Sequence, residues 1–106
     1  MKQLTLLALS LFPLALTGCF GGAIACDFRE EHDRCQERTG IQAANPLAFE
    51  GTCATAGGTY RDDGCPDEGR VAGCEIGADV IDWYYAPESV ESVTAECEGD
   101  GTLVLP

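Results

Sequence analysis

The sequence is poor in the residues from which catalytic centres and nucleic-acid surfaces are built. Basic side chains number six against eighteen acidic ones, and the net charge is −12. Such a chain repels phosphate backbones and has no basic patch to offset that repulsion, which sets nucleic acid aside as a partner. Histidine occurs once, as His32, and beyond residue 18 serine occurs only as Ser89 and Ser92. Nucleophilic catalysis needs a nucleophile, a base and a third group that orients the base. Neither serine sits in a nucleophile elbow, and no motif surrounds His32. The absence of any C-x-x-C disfavours thioredoxin-like redox chemistry and the common structural zinc sites. No apolar run reaches the ~20 residues that a bilayer core requires. The longest, Leu4 to Leu16, is interrupted by Ser10 and Pro13.

That run has a different meaning at the start of a chain. Lys2, the leucine-rich stretch and the small residues after it form the charged, apolar and cleavage regions of a secretory signal, residues 1–18. Leu16-Thr17-Gly18-Cys19 closes it and resembles the lipobox of bacterial lipoproteins. The resemblance implies a diacylglyceryl thioether on Cys19, cleavage just before it, and acylation, as by palmitate, of the new N-terminus. Several acyl chains on one residue give a stable anchor where one gives marginal binding. The partner implied is a lipid bilayer, held through acylated Cys19. Phe20, in place of Asp, implies sorting to the outer membrane by that family's rule in enteric bacteria. Residues 19–25 then read as the lipidated N-terminus and a glycine-containing tether, and 26–106 as one small domain. Without Lys2, five basic residues face eighteen acidic ones, a net charge of −13.

Of seven cysteines, Cys26, Cys35, Cys53, Cys65, Cys74 and Cys97 remain after Cys19. In an exported chain an even set is a disulfide framework, here three bridges in a domain too small to rely on its core alone. Fifteen pairings are formally open. The spacing of Phe28, His32 and Cys35 fits a helix over 27–39, while the same stretch also fits a sheet edge around Cys35; in one helix Cys26 and Cys35 lie on opposite faces. Asn45-Pro46 is a capped start for a second helix, running to Gly57-Gly58 with Phe49 and Cys53 inward. Thr59–Arg61 reads as extended. Arg70 to Ile76 and Asp79 to Ala86 read as a hairpin turning at Gly77-Ala78, with Ile81, Trp83 and Tyr85 on its core face. Pro87 opens a last helix through Cys97, with Val90, Val93 and Cys97 on one face. We expect Cys53–Cys65 and Cys74–Cys97 as pairs, leaving Cys26–Cys35. The helix over 27–39 forbids that last pair, so the two expectations exclude each other.

The stretch from Cys53 through Gly57-Gly58-Thr59-Tyr60, Cys65-Pro66, Arg70-Val71, Gly73-Cys74 and Tyr84-Tyr85 to Cys97 resembles a cysteine-rich domain of uncharacterised bacterial lipoproteins. That resemblance implies no activity. The fold expected is α+β: a short antiparallel sheet packed with one or two helices and stapled by disulfides. The expected function is a non-catalytic binding or structural module of a Gram-negative envelope, with no cofactor and with a protein or glycan as a further partner. An alternative is calcium or ligand binding by the acidic loop 62–69, where Asp62, Asp63, Asp67 and Glu68 are hard oxygen donors. EF-hand ligand order is absent, Pro66 interrupts the loop, and a solvated turn is the reading we favour. Trp83, Tyr84 and Tyr85 would offer an aromatic platform for a glycan or protein, but strand aromatics are more often core, and alternation requires only that Tyr84 face away from Trp83. An enzyme stands third, and would need His32 in a pocket beside a carboxylate and a hydroxyl.

Overall fold

A computed structural model describes residues 22–106 of the chain. Six strands form one antiparallel sheet: β1 Ile24–Asp27, β2 Arg34–Arg38, β3 Thr59–Arg61, β4 Arg70–Gly77, β5 Val80–Tyr85 and β6 Thr102–Val104. Their order across the sheet is β3-β1-β2-β5-β4-β6. Two helices, α1 Pro46–Thr55 and α2 Val90–Cys97, complete an α+β domain with three disulfides.

Each helix forms where the sequence supplies a cap and an inward pair. The Asn45 side chain accepts the Ala48 N–H, Pro46 takes the first helical position, and Phe49 and Cys53 point inward. Cys53 bridges Cys26 on β1, which fixes α1 over the β3-β1 end of the sheet. Gly58, just after α1, lies against that bridge, and a Cβ there would collide with the sulfurs of Cys26 and Cys53. At the opposite end, Ser89 caps α2 and Ser92 returns the bond to the Ser89 N–H, a reciprocal capping box. Val93 and Cys97 face inward, and Cys97 bridges Cys74 on β4.

Both faces of the sheet carry a core. Under the helices lie two separate clusters, Ile24, Cys26, Phe49 and Cys53 beneath α1, and Ala72, Cys74, Tyr84, Val93 and Cys97 beneath α2. Between them Gln36 and Asp82, direct cross-strand partners, join by a hydrogen bond of 3.1 Å. The reverse face gathers Ala25, Cys35, Trp83, Tyr85 and Cys65, the last brought in by the loop after β3 through its bridge to Cys35. Gly73 lies directly opposite Trp83 in the register, where a Cβ would come within 2.7 Å of the indole. A glycine inside a central strand is explained by this close approach.

Five expectations are corrected. Residues 27–39 are not one helix. A single turn, Arg29–His32, ends at Asp33 in the left-handed region (φ 55°), and β1 and β2 pair on either side of it. Pairing buries Ile24, Cys26 and Cys35 together in a sheet, which an isolated charged helix exposing most of its length could not match. With the sheet in place, Cys26 and Cys35 go to opposite faces, so neither Cys26–Cys35 nor Cys53–Cys65 forms. The bridges are Cys26–Cys53, Cys35–Cys65 and, as expected, Cys74–Cys97. The segment read as tether through residue 25 joins the domain at Ile24, because Ile24 and Ala25 are buried strand residues. The last helix starts at Val90, since Ser89 supplies the cap that Pro87 cannot, and Val90 is exposed. Tyr84, placed off the core, is buried beneath α2.

Candidate functional site

His32 is exposed, with Glu31 Oε2 3.8 Å from its Nε2. Ser89 and Ser92 are occupied by the α2 cap, and Ser92 also donates to Glu88 Oε1 at 2.9 Å. The two hydroxyls are thus jointly committed to holding the N-terminus of α2, and His32 is exposed on a different segment. Trp83, Tyr84 and Tyr85 are all buried, so they form no exposed aromatic platform. Burial of both faces of β5 accounts for this, Trp83 and Tyr85 turning to one core and Tyr84 to the other.

The acidic loop is a clasp. Cys65 N–H donates to Glu37 Oε1 at 3.0 Å, Arg70 Nη2 donates to the Cys65 carbonyl at 2.8 Å, and the Tyr85 hydroxyl donates to the Pro66 carbonyl. Arg70 also pairs with Glu37 and Asp67 while its guanidinium lies 4.0 Å from the Trp83 ring centroid. Asp62, Asp63, Asp67 and Glu68 remain on the solvent side. Among the described residues no three His, Cys, Asp or Glu side chains converge as metal ligands.

The strongest buried charge cluster is structural. Asp27, at the end of β1, is 9% exposed and accepts bonds from the Arg29 backbone and guanidinium and from Arg61 Nε at 2.8 Å. Burial alone raises its pKa, but the bonds from Arg29 and Arg61 and the Arg29 charge outweigh that and hold it below the usual carboxylate value. A depressed folded pKa means that Asp27 stabilises the fold above the ordinary aspartate range, ~3.9, and that this contribution fades as the pH falls through the folded value. Asp27→Asn should lower stability at neutral pH by about 2 kcal/mol, since the arginines, a third exposed, regain part of their hydration. It should also flatten the acid limb of Tm against pH below ~4, measured with the bridges intact. An unchanged acid limb would refute the assignment.

A different surface has the character of a contact site. From Thr39 to Tyr60 the chain carries one charged residue, Glu50, in a protein with eighteen acids. The structure turns this segment outward. Ile41, on the single 3₁₀ turn Gly40–Ala43, and Leu47, in the first turn of α1, are 80% and 81% exposed. A hollow of about 300 Å³ beside them is lined by Ile41, Ala44, Ala48 and Thr52, with Arg38 its single charged neighbour. A shallower one continues along α1 past Leu47, Gly51 and Thr55. A third, of about 360 Å³, runs from Ala44 and Pro46 to Gly22, where the described chain begins, with Asp62 the one acid in its lining. Arg38 spans the rim, its guanidinium 4.5 Å from the Phe49 ring centroid and bonded to Gln36 Oε1 at 3.2 Å. It makes no ion pair among the described residues, unlike Arg29, Arg61 and Arg70. The signal that would have found this face in the sequence is the charge-free run itself; periodicity misses it because the exposed side of α1 is built from small and apolar residues.

Comparison with protein-family models, curated proteins and solved structures finds no match for this chain.

Proposed function

We propose that the protein is a lipid-anchored, non-catalytic module of the bacterial cell envelope, held by an acylated Cys19 and sorted to the outer membrane. The observation that carries this reading is the cysteine balance. Cys26, Cys35, Cys53, Cys65, Cys74 and Cys97 are consumed by three bridges, which leaves the seventh cysteine without an intramolecular partner. That cysteine stands at the end of an apolar leader in Leu16-Thr17-Gly18-Cys19, outside the described residues. An exported framework of disulfides and a cysteine reserved for lipid belong to the same compartment and the same route. The serines committed to a cap and the solvent-facing His32 add no catalytic role.

Mass spectrometry on protein extracted from its native membrane tests the reading. The expected result is a chain beginning at triacylated Cys19 whose six other cysteines react with an alkylating reagent only after reduction. An unmodified Cys19, or thiols free before reduction, would overturn it.

A further inference from the structure

We propose that the uncharged face around Ile41 and Leu47 rests on the bilayer surface that carries the anchor, setting the orientation of the domain. The proposal rests on the lipid-anchor reading, because the tether decides which face meets lipid. Cys19 precedes Gly22 by three residues, and three extended residues span at most about 11 Å. Gly22 lines the same hollow as Gly40, Ala43, Ala44 and Pro46, so the tether leaves the domain at the edge of this face.

Electrostatics select the same orientation. A tether of that reach holds the Gly22 edge of the domain at a distance comparable to one Debye length, ~8–10 Å, so that charges on that edge are incompletely screened from the surface. Anionic headgroups repel a module carrying −13, and repel most strongly whichever acidic side approaches. The segment from Thr39 to Tyr60 has a single acid; Asp62 and Asp79 border it at the tether end, and the one charge flanking its outer hollow, beside Ile41, is the cation of Arg38. Arg38 has no carboxylate partner among the described residues to compete with a lipid phosphate. Ile41 and Leu47 are the two most exposed large apolar side chains of the described residues, and they stand on this face. The interfacial zone takes such side chains ~5–10 Å into the headgroup and acyl boundary.

The full, natively processed protein tests this in vesicles of phosphatidylglycerol with acyl-brominated phosphatidylcholine. Leu47→Trp reports on the face, and Val90→Trp on α2 reports from the opposite end of the sheet. The native Trp83 is buried and supplies a wild-type background to subtract. The emission added at position 47 should be quenched roughly twofold or more by the brominated chains, as an interfacial depth requires, while that at position 90 is unquenched. The mass of Cys19 and flotation with the vesicles are read on the same samples. An acylated, floating protein with neither reporter quenched, or both equally, would overturn the docked face and leave the anchor standing. An unacylated protein that does not float would overturn the anchor and the orientation together. A blue-shifted but unquenched Trp at 47, with twice the monomer mass in detergent, would assign the face to a second copy instead.

Discussion

Replacing Cys35 and Cys65 together by alanine should lower the stability of the domain by about 3.5 kcal/mol, the chain-entropy value for a bridge closing thirty residues. The effect has a local signature beyond that number. Cys65 is the one buried residue through which the loop after β3 joins the reverse core with Ala25, Cys35, Trp83 and Tyr85. Without the bridge, the remaining clasp consists of Cys65 N–H to Glu37, Arg70 to the Cys65 carbonyl and Tyr85 to the Pro66 carbonyl. Each contributes about a kilocalorie or somewhat more, and all are coupled to loop closure. Water should therefore reach the indole, and Trp83 emission should move to the red before global unfolding. Removing Cys74–Cys97, which closes a similar length of chain on the other face, should cost a similar amount and leave Trp83 emission unmoved. Denaturant titration followed by far-ultraviolet circular dichroism and by fluorescence separates the two. Equal spectral shifts in both variants would sink the local account.

Phe49→Ala should cost about 3–4 kcal/mol, the usual range for truncating a buried aromatic. Phe49 is 7% exposed among Ile24, Cys26 and Cys53, meets Tyr60 edge-on at 6.2 Å, and lies under the Arg38 guanidinium. The helix it anchors has little stability of its own. It is ten residues long and contains Gly51, Thr52 and Thr55, each a poorer helix former than alanine. The Cys26–Cys53 bridge keeps α1 close, so the variant should not lose the helix outright; amide exchange in residues 46–55 should rise well above that in α2. A loss of less than about 1 kcal/mol would show that the bridge alone holds α1 in place. Because Leu47 and Ala48 ride on the same helix, this variant should also loosen the uncharged face.

What the sequence made legible was local and self-contained. Asn45-Pro46 with Phe49 and Cys53 four apart specifies α1 without help from the rest of the chain. The alternation of Ile81, Trp83 and Tyr85 specifies β5 in the same way. The α+β class follows from these together with the cysteines. What failed were judgements that depend on remote partners. The Phe28, His32, Cys35 spacing satisfies a helix as well as a sheet edge, and only the pairing of β2 with both β1 and β5 decides for a strand at Cys35. The same pairing places Cys26 beneath α1 and Cys35 beneath the acidic loop, so the bridge pattern was inaccessible until the sheet order was known. Tyr84 was misjudged because alternation says which residues share a face and not whether the second face is covered. The contact face was overlooked because its mark is a shortage of charge over twenty-two residues, a property of composition and not of any motif.

The order in which the bridges close has a consequence for how the molecule comes apart. Cys26–Cys53 and Cys35–Cys65 interleave along the chain, so a single peptide cut anywhere between residues 26 and 65 leaves every fragment still joined. The same holds between 74 and 97. Only in the passage from Cys65 to Cys74 does the whole covalent connection between the two halves rest on one backbone. The single basic residue in that passage is Arg70, which sits in β4 with its side chain drawn down between Glu37 and Trp83. A protease that cuts after arginine thus meets its one severing bond inside a sheet, and the vulnerable crossing left to other proteases is the short run Pro66-Asp67-Glu68-Gly69.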